Sequence, residues 1–543
     1  MFNLTLFFIG AVLYFLQKNP ALKFLYYPLL ICISAILSRG ISVAINLLGK
    51  SGKKKSFLTN ESLPDSGLIA LALVYLVLFS FLSVGQYDAF ISRMYDLGNM
   101  DQAIWSASHG KLLQSTDMNP PFENSSRFSV HIEPVFFVFA ALYRIMENVK
   151  VLLVAQVLLI CIAILTIYAI SVILLKDRWK SFFVAIIFSS FPALQFMTLF
   201  DFHGDVLAIA FLLLSYLAYL KKKSVWYWVF IGISLMCKEY VALAITGFGI
   251  SLLLMHKDKA TAIPTVLLGL AWFLLSSFVV IPLLNKGNES IVIGLNYADI
   301  GGRQGISGII RYSLKNPVEL LRILFNRQNV ENLFYLLFPL LFIPFRSWKL
   351  LIGAVPIIAK DLLTGLDIYN HRLAPAVPFL FIAFIYSLRE DLQWKKLKIS
   401  KEYMLQLTIS ATLIASFCYG PSPLGHRFWR ERHRYFKNEH SCVCQDLLSV
   451  IPDSVAVSVS EHLAPHVTHR QYCFVFPRPM TVEKRDMRDV EYICIDTTNR
   501  ESLFWNDTSY ILQTIPDIIS LGFNMLKNED GVFLFKRADL LTH

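Results

Sequence analysis

Two carboxylates, Asp96 and Asp101, stand one short turn apart in MYDLGNMDQAIW, residues 94–105, directly after an apolar run long enough to cross a membrane. A carboxylate at such a boundary can take a proton from an attacking hydroxyl. Four more turns between apolar runs carry residues of the same kind: His131 and Glu133; Asp201, His203 and Asp205 in DFHGD; Lys238 and Glu239 in CKEY; His371 and Arg372 in DIYNHR. The alternation of Asp201, His203 and Asp205 puts three ligand types on one side of an extended segment, which suits a divalent cation such as magnesium or manganese. Lys238 and Arg372 can meet negative charge developing on a leaving group. Each residue also has a plain structural reading. The aspartates can cap helices, Lys238 and Glu239 can neutralise each other, and His371 and Arg372 can hold lipid headgroups. Ionisable groups at membrane helix ends are costly unless solvated, paired or used, so five such turns on one side argue for a site. Its candidate catalytic residues are Asp96 and Asp101. Its candidate substrate-binding residues are His131, Glu133, Asp201, His203, Asp205, Lys238, Glu239, His371 and Arg372.

The elements that must position them follow from composition. Of 543 residues, 55% are hydrophobic and 16% charged, and the mean hydropathy is +0.53, far more apolar sequence than a water-soluble core uses. The chain reads as an all-α polytopic membrane protein. Its net charge of +11 is gathered in short stretches between apolar runs, such as Lys53 to Lys55, Lys221 to Lys223 and Lys395 to Lys398. That pattern reports cytoplasmic loops and not a nucleic-acid partner. About thirteen spans fit these clusters: 3–17, 24–38, 66–84, 151–174, 181–200, 206–220, 224–237, 241–255, 262–284, 331–345, 349–362, 373–388 and 403–419. Residues 1–65 form an N-terminal anchor hairpin, with no basic start or small-residue cleavage site to suggest a signal peptide.

HIEPVFFVFAALYRIM, residues 131–146, is apolar enough to be a further span, but counting it would put every later basic cluster outside. It is expected instead to lie re-entrant or in the interface. Residues 85–150 then make one large outer loop within a membrane domain spanning 66–419. A second outer loop, 285–330, carries Lys286, Arg303, Arg311, Lys315, Arg322 and Arg327 on helices expected to lie in the interface. These either bind anionic phospholipid or clamp a lipid phosphate.

After Gly420 the apolar runs shorten to strand length, and residues 420–543 read as a small exocytoplasmic α/β domain with a hairpin about Asp530 and Gly531. His462, His466 and His469 have ligand-like spacing, but no neighbouring cysteine or carboxylate pattern completes a zinc motif, so they are read as structural or acceptor-binding. Cys442, Cys444, Cys473 and Cys494 could pair outside the cytoplasm.

The runs YDLGNMDQAIWSASHGK, HIEPVFFVFAALY, LFDFHGDVLAIAFLLLSYLAYLKKK, CKEYVALAITGFGISLLL and HRLAPAVPFLFIAFIYSL, with APHVTHRQYCFVFP and EDGVFLFKR near the C-terminus, resemble a bacterial and archaeal family of predicted polytopic membrane proteins, from about residue 66 onward. That family is similar in architecture to GT-C glycosyltransferases. The resemblance implies a polyprenyl-phosphate sugar as donor, an unknown glycan, lipid or protein acceptor, and a setting in the bacterial inner membrane with the site facing outward. It places the catalytic acid of the first outer loop on Asp96, with Asp101 second. Where the family more often has Asp after the Lys-Glu turn, this chain has Tyr240. No P-loop appears, which fits a lipid-linked donor better than ATP-driven transport. The alternative is a transporter or flippase. Transporters usually gather polar groups near the bilayer midplane of repeated halves, whereas here they sit at helix ends and no repeat is found.

Overall fold

A computed structural model describes residues 26–36, 38–39, 62–116, 125–394, 397–479, 489–498 and 508–540. The expected span at 3–17 lies outside them. The chain is mainly helical. Among the described residues, Ser62–Asp88 (α1), Lys150–Leu175 (α4) and Lys259–Leu284 (α8) are each long and apolar enough to cross a bilayer. Shorter apolar helices include Gly204–Leu220 (α5), Ser224–Cys237 (α6) and Val241–His256 (α7).

The membrane segments are more broken than the sequence suggests. Arg178–Ser189 and Pro192–Leu199 meet at 53°, and Arg327–Leu340 and Ile343–Leu351 at 85°. Each break has a local cause. Pro192 opens its helix with no N–H to give, and Leu341 and Phe342 take φ of +50° and +57° ahead of Pro344, so the backbone ladder cannot run through. The expected spans 331–345 and 349–362 are therefore not straight crossings. Among the described residues, counting each bent pair as one span gives up to five, with five shorter apolar helices besides.

Between α1 and α4 lie two short helices, Asn99–Ser108 (α2) and Phe136–Tyr143 (α3). Eight residues of helix reach about 12 Å, well short of a bilayer core, so α3 turns back without crossing. In the second loop, Gly305–Lys315 and Pro317–Leu324 are short helices that leave Leu314, Val318, Leu321 and Phe325 exposed, an apolar stripe suited to an interface. Helix α5 is central, packed on α4 and α6. Gly204 at its start is required, since a Cβ there would sit 2.2 Å from the carbonyl oxygen of Cys237. That close approach brings the DFHGD and CKEY turns together.

Past Lys401–Tyr419 (α9), which covers the last expected span, the chain forms Glu439–Ser449 (α10), Thr508–Ser520 (α11) and a five-stranded sheet. The strands are Val457–Val459 (β1), Cys473–Val475 (β2), Tyr492–Asp496 (β3), Phe523–Glu529 (β4) and Val532–Arg537 (β5). Their order is β2-β1-β3-β5-β4. β1 runs parallel to β2 and β3, while β5 runs antiparallel to β3 and β4. Alternation sorts the side chains. Val457, Val459, Cys473, Val475, Tyr492, Cys494, Val532 and Leu534 pack with α10 on one face. Phe474, Ile493, Ile495 and Phe535 pack with Ile518 of α11 on the other. Phe90 and Met94, from the loop after α1, complete the first of these cores. All eight cysteines are free, so the pairing considered for Cys442, Cys444, Cys473 and Cys494 is not formed.

Candidate functional site

The five turns meet at one end of the helices, where Lys150 at the start of α4 pairs with Asp88 at the end of α1 across 2.7 Å. Gln156, fully buried on α4, fixes the DFHGD turn from below. Its amide donates to the carbonyl of Asp201 at 2.5 Å and its Oε1 accepts the N–H of His203 at 2.9 Å. Asp201 itself is held at φ +40°, a left-handed conformation that non-glycine residues adopt at a cost and that clusters at functional sites.

From this turn a continuous polar network runs across the helix ends. Asp96, on the π-helical turn Met94–Gly98, faces His203 Nε2 at 3.6 Å. The ring of His203 stacks on that of His371 with centroids 3.6 Å apart. His371 Nδ1 lies 2.7 Å from Asp205 Oδ2, and the Tyr240 hydroxyl donates to the same oxygen. Lys238 Nζ sits between two fully buried carboxylates, 3.8 Å from Asp205 and 3.7 Å from Glu133. Arg127 pairs with the other oxygen of Glu133. Beside the network, His131 pairs with Glu239 at 2.9 Å, and the Ile132 N–H donates to that carboxylate at 3.0 Å.

Electrostatics follow from this packing. Burial resists ionisation of Asp96, but the hydrogen bond and charge of His203 outweigh it and hold the carboxyl below its usual range. Glu239 is likewise held low, by His131 against the effect of burial. Asp201 is pushed up to about 6 by burial and by the neighbouring charge of Asp96, despite the Ser92 hydroxyl that donates to it at 2.5 Å. Burial pushes His371 down to about 3, so it is a neutral imidazole at physiological pH.

Asp96, Glu133, His203, Asp205, Lys238 and His371 therefore belong to one network, with Asp201, His131 and Glu239 at its margins. Two expected residues lie elsewhere. Arg372 reaches towards Thr364 at 3.4 Å. Asp101, 1% exposed, accepts from Tyr143 at 2.6 Å and from the hydroxyl of Thr468, and lies 3.1 Å from His469 Nε2. It ties α2 to the C-terminal sheet. The expected convergence of Asp201, His203 and Asp205 on one cation is not formed. His203 is extended, but Asp201 is left-handed and Asp205 is already in the first turn of α5, so the alternation is broken and the three side chains go to Ser92, Asp96 and His371.

Several residues of the site were not singled out from sequence. Lys360 Nζ lies 4.5 Å from the Tyr240 ring centroid and 2.6 Å from Asp361, whose other carboxylate oxygen is buried without a hydrogen-bond partner. An ionisable Lys-Asp pair inside the apolar run 349–362 was the available signal. Arg127 and Gln156 gave none, because their partners are supplied by the fold.

The family described as "Predicted membrane protein (DUF2079)" matches residues 86–534. The chain belongs to this family. The match takes in the whole network and the C-terminal sheet as far as Leu534, within β5. In fold, this DUF2079 chain is similar to the crystal structure of ArnT from Cupriavidus metallidurans bound to undecaprenyl phosphate, at 10% identity and a TM-score of 0.49, covering 87% of this chain and 98% of that one. The apo structure of the same protein gives 12% identity and a TM-score of 0.45, over 86% and 99%. No curated protein matches the chain.

Proposed function

We propose that this protein is a membrane glycosyltransferase that moves a sugar from a polyprenyl-phosphate donor to an acceptor at the outer face of the bacterial inner membrane. One observation carries the reading. The Asp96 side chain is 26% exposed while its neighbour His203 is 2% exposed and Asp205, at the far side of the histidine stack, is wholly buried. A charged network buried this well, whose most exposed side chain is a carboxylate held ionised, suits proton abstraction at Asp96. The sequence resemblance to GT-C enzymes points to the same residue.

In this mechanism the acceptor hydroxyl gives its proton to Asp96 as its oxygen bonds to the anomeric carbon. The bond from that carbon to the phosphate oxygen breaks, and the lipid phosphate leaves as a monoester with one more negative charge. Lys238 and Lys360, which both approach the Tyr240 ring, are the cations offered to meet it. One displacement inverts the anomeric centre without a covalent glycosyl-enzyme. His203 and the neutral His371 orient Asp96 from behind.

The test is transfer from a panel of radiolabelled polyprenyl-phosphate sugars by purified protein in lipid. Asp96→Asn is expected to lower the rate by about 10²–10⁴-fold with donor binding retained. Wild-type transfer by Asp96→Asn would remove Asp96 as the base. Transfer from no donor would overturn the enzyme reading in favour of transport.

A further inference from the structure

We infer that the C-terminal sheet carries a zinc site formed by His440, Cys444, Asp496 and His462, separate from the Asp96 network. The sequence offers no compact motif for it, because the four residues come from three segments that only the fold joins. On α10, a capping box fixes the first turn: the Asn438 side chain accepts from the Ser441 N–H and the Ser441 hydroxyl accepts from the Asn438 N–H, each at 2.8 Å. His440 and Cys444 then fall at i and i+4 on one helix face. Asp496 is the last residue of β3. His462 follows β1, whose loop is locked to β3 by the Asp496 N–H donating to Ser460 Oγ at 2.9 Å. The parallel strands β1 and β3 thus present both residues at their carboxyl ends, His462 just past β1 and Asp496 closing β3, where open α/β sheets collect ligands.

Ligand atoms of His440, Cys444 and Asp496 all lie within 4.8 Å of one another. His440 Nε2 is 3.0 Å from Asp496 Oδ2 and 3.6 Å from Cys444 Sγ, and His462 Nε2 is 2.8 Å from the same Asp496 oxygen. Bonds of about 2.0–2.3 Å to zinc imply about 3.3–3.6 Å between tetrahedral ligands, so the two histidines must each back away from Asp496 by about half an ångström or less, and His462, which lies beside Asp496 but outside the 4.8 Å group, must turn towards Cys444 and His440 to complete the set. The remaining valences are already directed. Asp496 Oδ1 accepts from the Thr498 N–H at 2.7 Å and from its hydroxyl at 2.8 Å, leaving Oδ2 for a metal. Asp530 Oδ2, 2.7 Å from His440 Nδ1, accepts the hydrogen bond of that N–H and so turns the Nε2 lone pair inward, the carboxylate–histidine arrangement that metal sites use. Cys444, Asp496 and His462 are buried, while the His440 side chain is 26% exposed and leaves a route in for the ion.

The mixture of thiol, imidazole and carboxylate selects zinc over magnesium, calcium or manganese. Four protein ligands leave no open position, so the ion is structural and pins α10 to the sheet. Binding releases the Cys444 thiol proton as the sulfur becomes a zinc-bound thiolate.

The experiment uses full-length protein in detergent, stripped with a chelator and titrated with zinc and, as a spectroscopic probe, cobalt. Wild type is expected to take up one zinc ion per chain, and its cobalt form to show thiolate-to-metal charge transfer. Cys444→Ser should lose that band. Asp530→Asn should keep it but bind about 10–100-fold more weakly. Cys442→Ser, exposed on the same helix, should behave as wild type. No zinc uptake by wild type, or a cobalt spectrum unchanged in Cys444→Ser, would overturn the site and leave His440 as an imidazolium held between Asp496 and Asp530.

Discussion

The backbone N–H of Met94 donates to the carbonyl of Glu461 across 3.1 Å, so the turn that carries Asp96 is anchored to the C-terminal sheet two residues before the carboxylate. Met94 and Phe90 also fill the core of that sheet. A carboxylate that must be placed within a few tenths of an ångström is thereby positioned by a rigid sheet and not by a loop alone.

Asp101 completes the anchor, which makes it a positioning residue in this reading. Asp101→Ala strands the Tyr143 and Thr468 hydroxyls and His469 in a buried interface, and is expected to cost about 2–3 kcal/mol. Thr468→Val, which touches only one of the three partners, should cost about 1 kcal/mol and lower the transfer rate with donor affinity kept. Thermal unfolding in detergent reads the first effect and single-turnover transfer the second. Full stability of Asp101→Ala would show that the two parts are joined elsewhere.

Lys238 lies between Glu133 and Asp205, both fully buried. Removing it leaves two carboxylates facing each other with Arg127 and His371 as their nearest partners, so Lys238→Met should destabilise the fold by about 3–5 kcal/mol. Adding Asp205→Asn removes one of the stranded charges and should recover part of that loss. A double variant no better than the single would show that Lys238 is not compensating Asp205.

Asp201 gives the site a pH signature. Its carboxyl is pushed up to about 6 by burial and then by Asp96, so between pH 4 and 6 the folded chain holds a proton that the unfolded chain has lost. Stability contributed at this position therefore falls as pH rises through that window and stays lower above it. Asp201→Asn removes the ionisation and keeps an acceptor for Ser92. Its melting temperature relative to wild type should rise from pH 4 to 6 and then level off, the stability difference reaching at most about 3 kcal/mol. A constant difference across the window would mean Asp201 ionises normally.

Much of this arrangement was legible as residue types at helix ends. Asp96, His203, Asp205, Lys238 and His371 could be grouped because basic loops set the parity of the chain and placed their turns on one side. Their division of labour could not. Whether Asp96 or Asp101 is the open carboxylate depends on which one meets Thr468, more than 300 residues away, and no local pattern encodes that contact. The three histidines near 462 illustrate the same point. His462 goes to Asp496, His466 stacks between Tyr87 and Phe90, and His469 reaches Asp101. Close spacing in sequence led to three unrelated environments, because the segment turns through a short 3-10 helix, Ala464–His466. The broken helices escaped for a different reason: hydropathy reports how apolar a segment is, and only its prolines and left-handed residues report where it bends.

Sidedness is the last inference that the reading depends on, and exposed cysteines can decide it. Cys442 is exposed on α10, on the part of the chain anchored to the Asp96 turn. A membrane-impermeant maleimide should label it in spheroplasts prepared without lysis, and Cys442→Ser should abolish that signal. Ala260, exposed at the start of Lys259–Leu284, lies beside Lys257 and Lys259, which positive residues in short loops place in the cytoplasm. In a Cys442→Ser background, Ala260→Cys should react only after the membrane is opened. The reverse pattern would put the Asp96 network in the cytoplasm, where an externally facing lipid-linked donor cannot reach it.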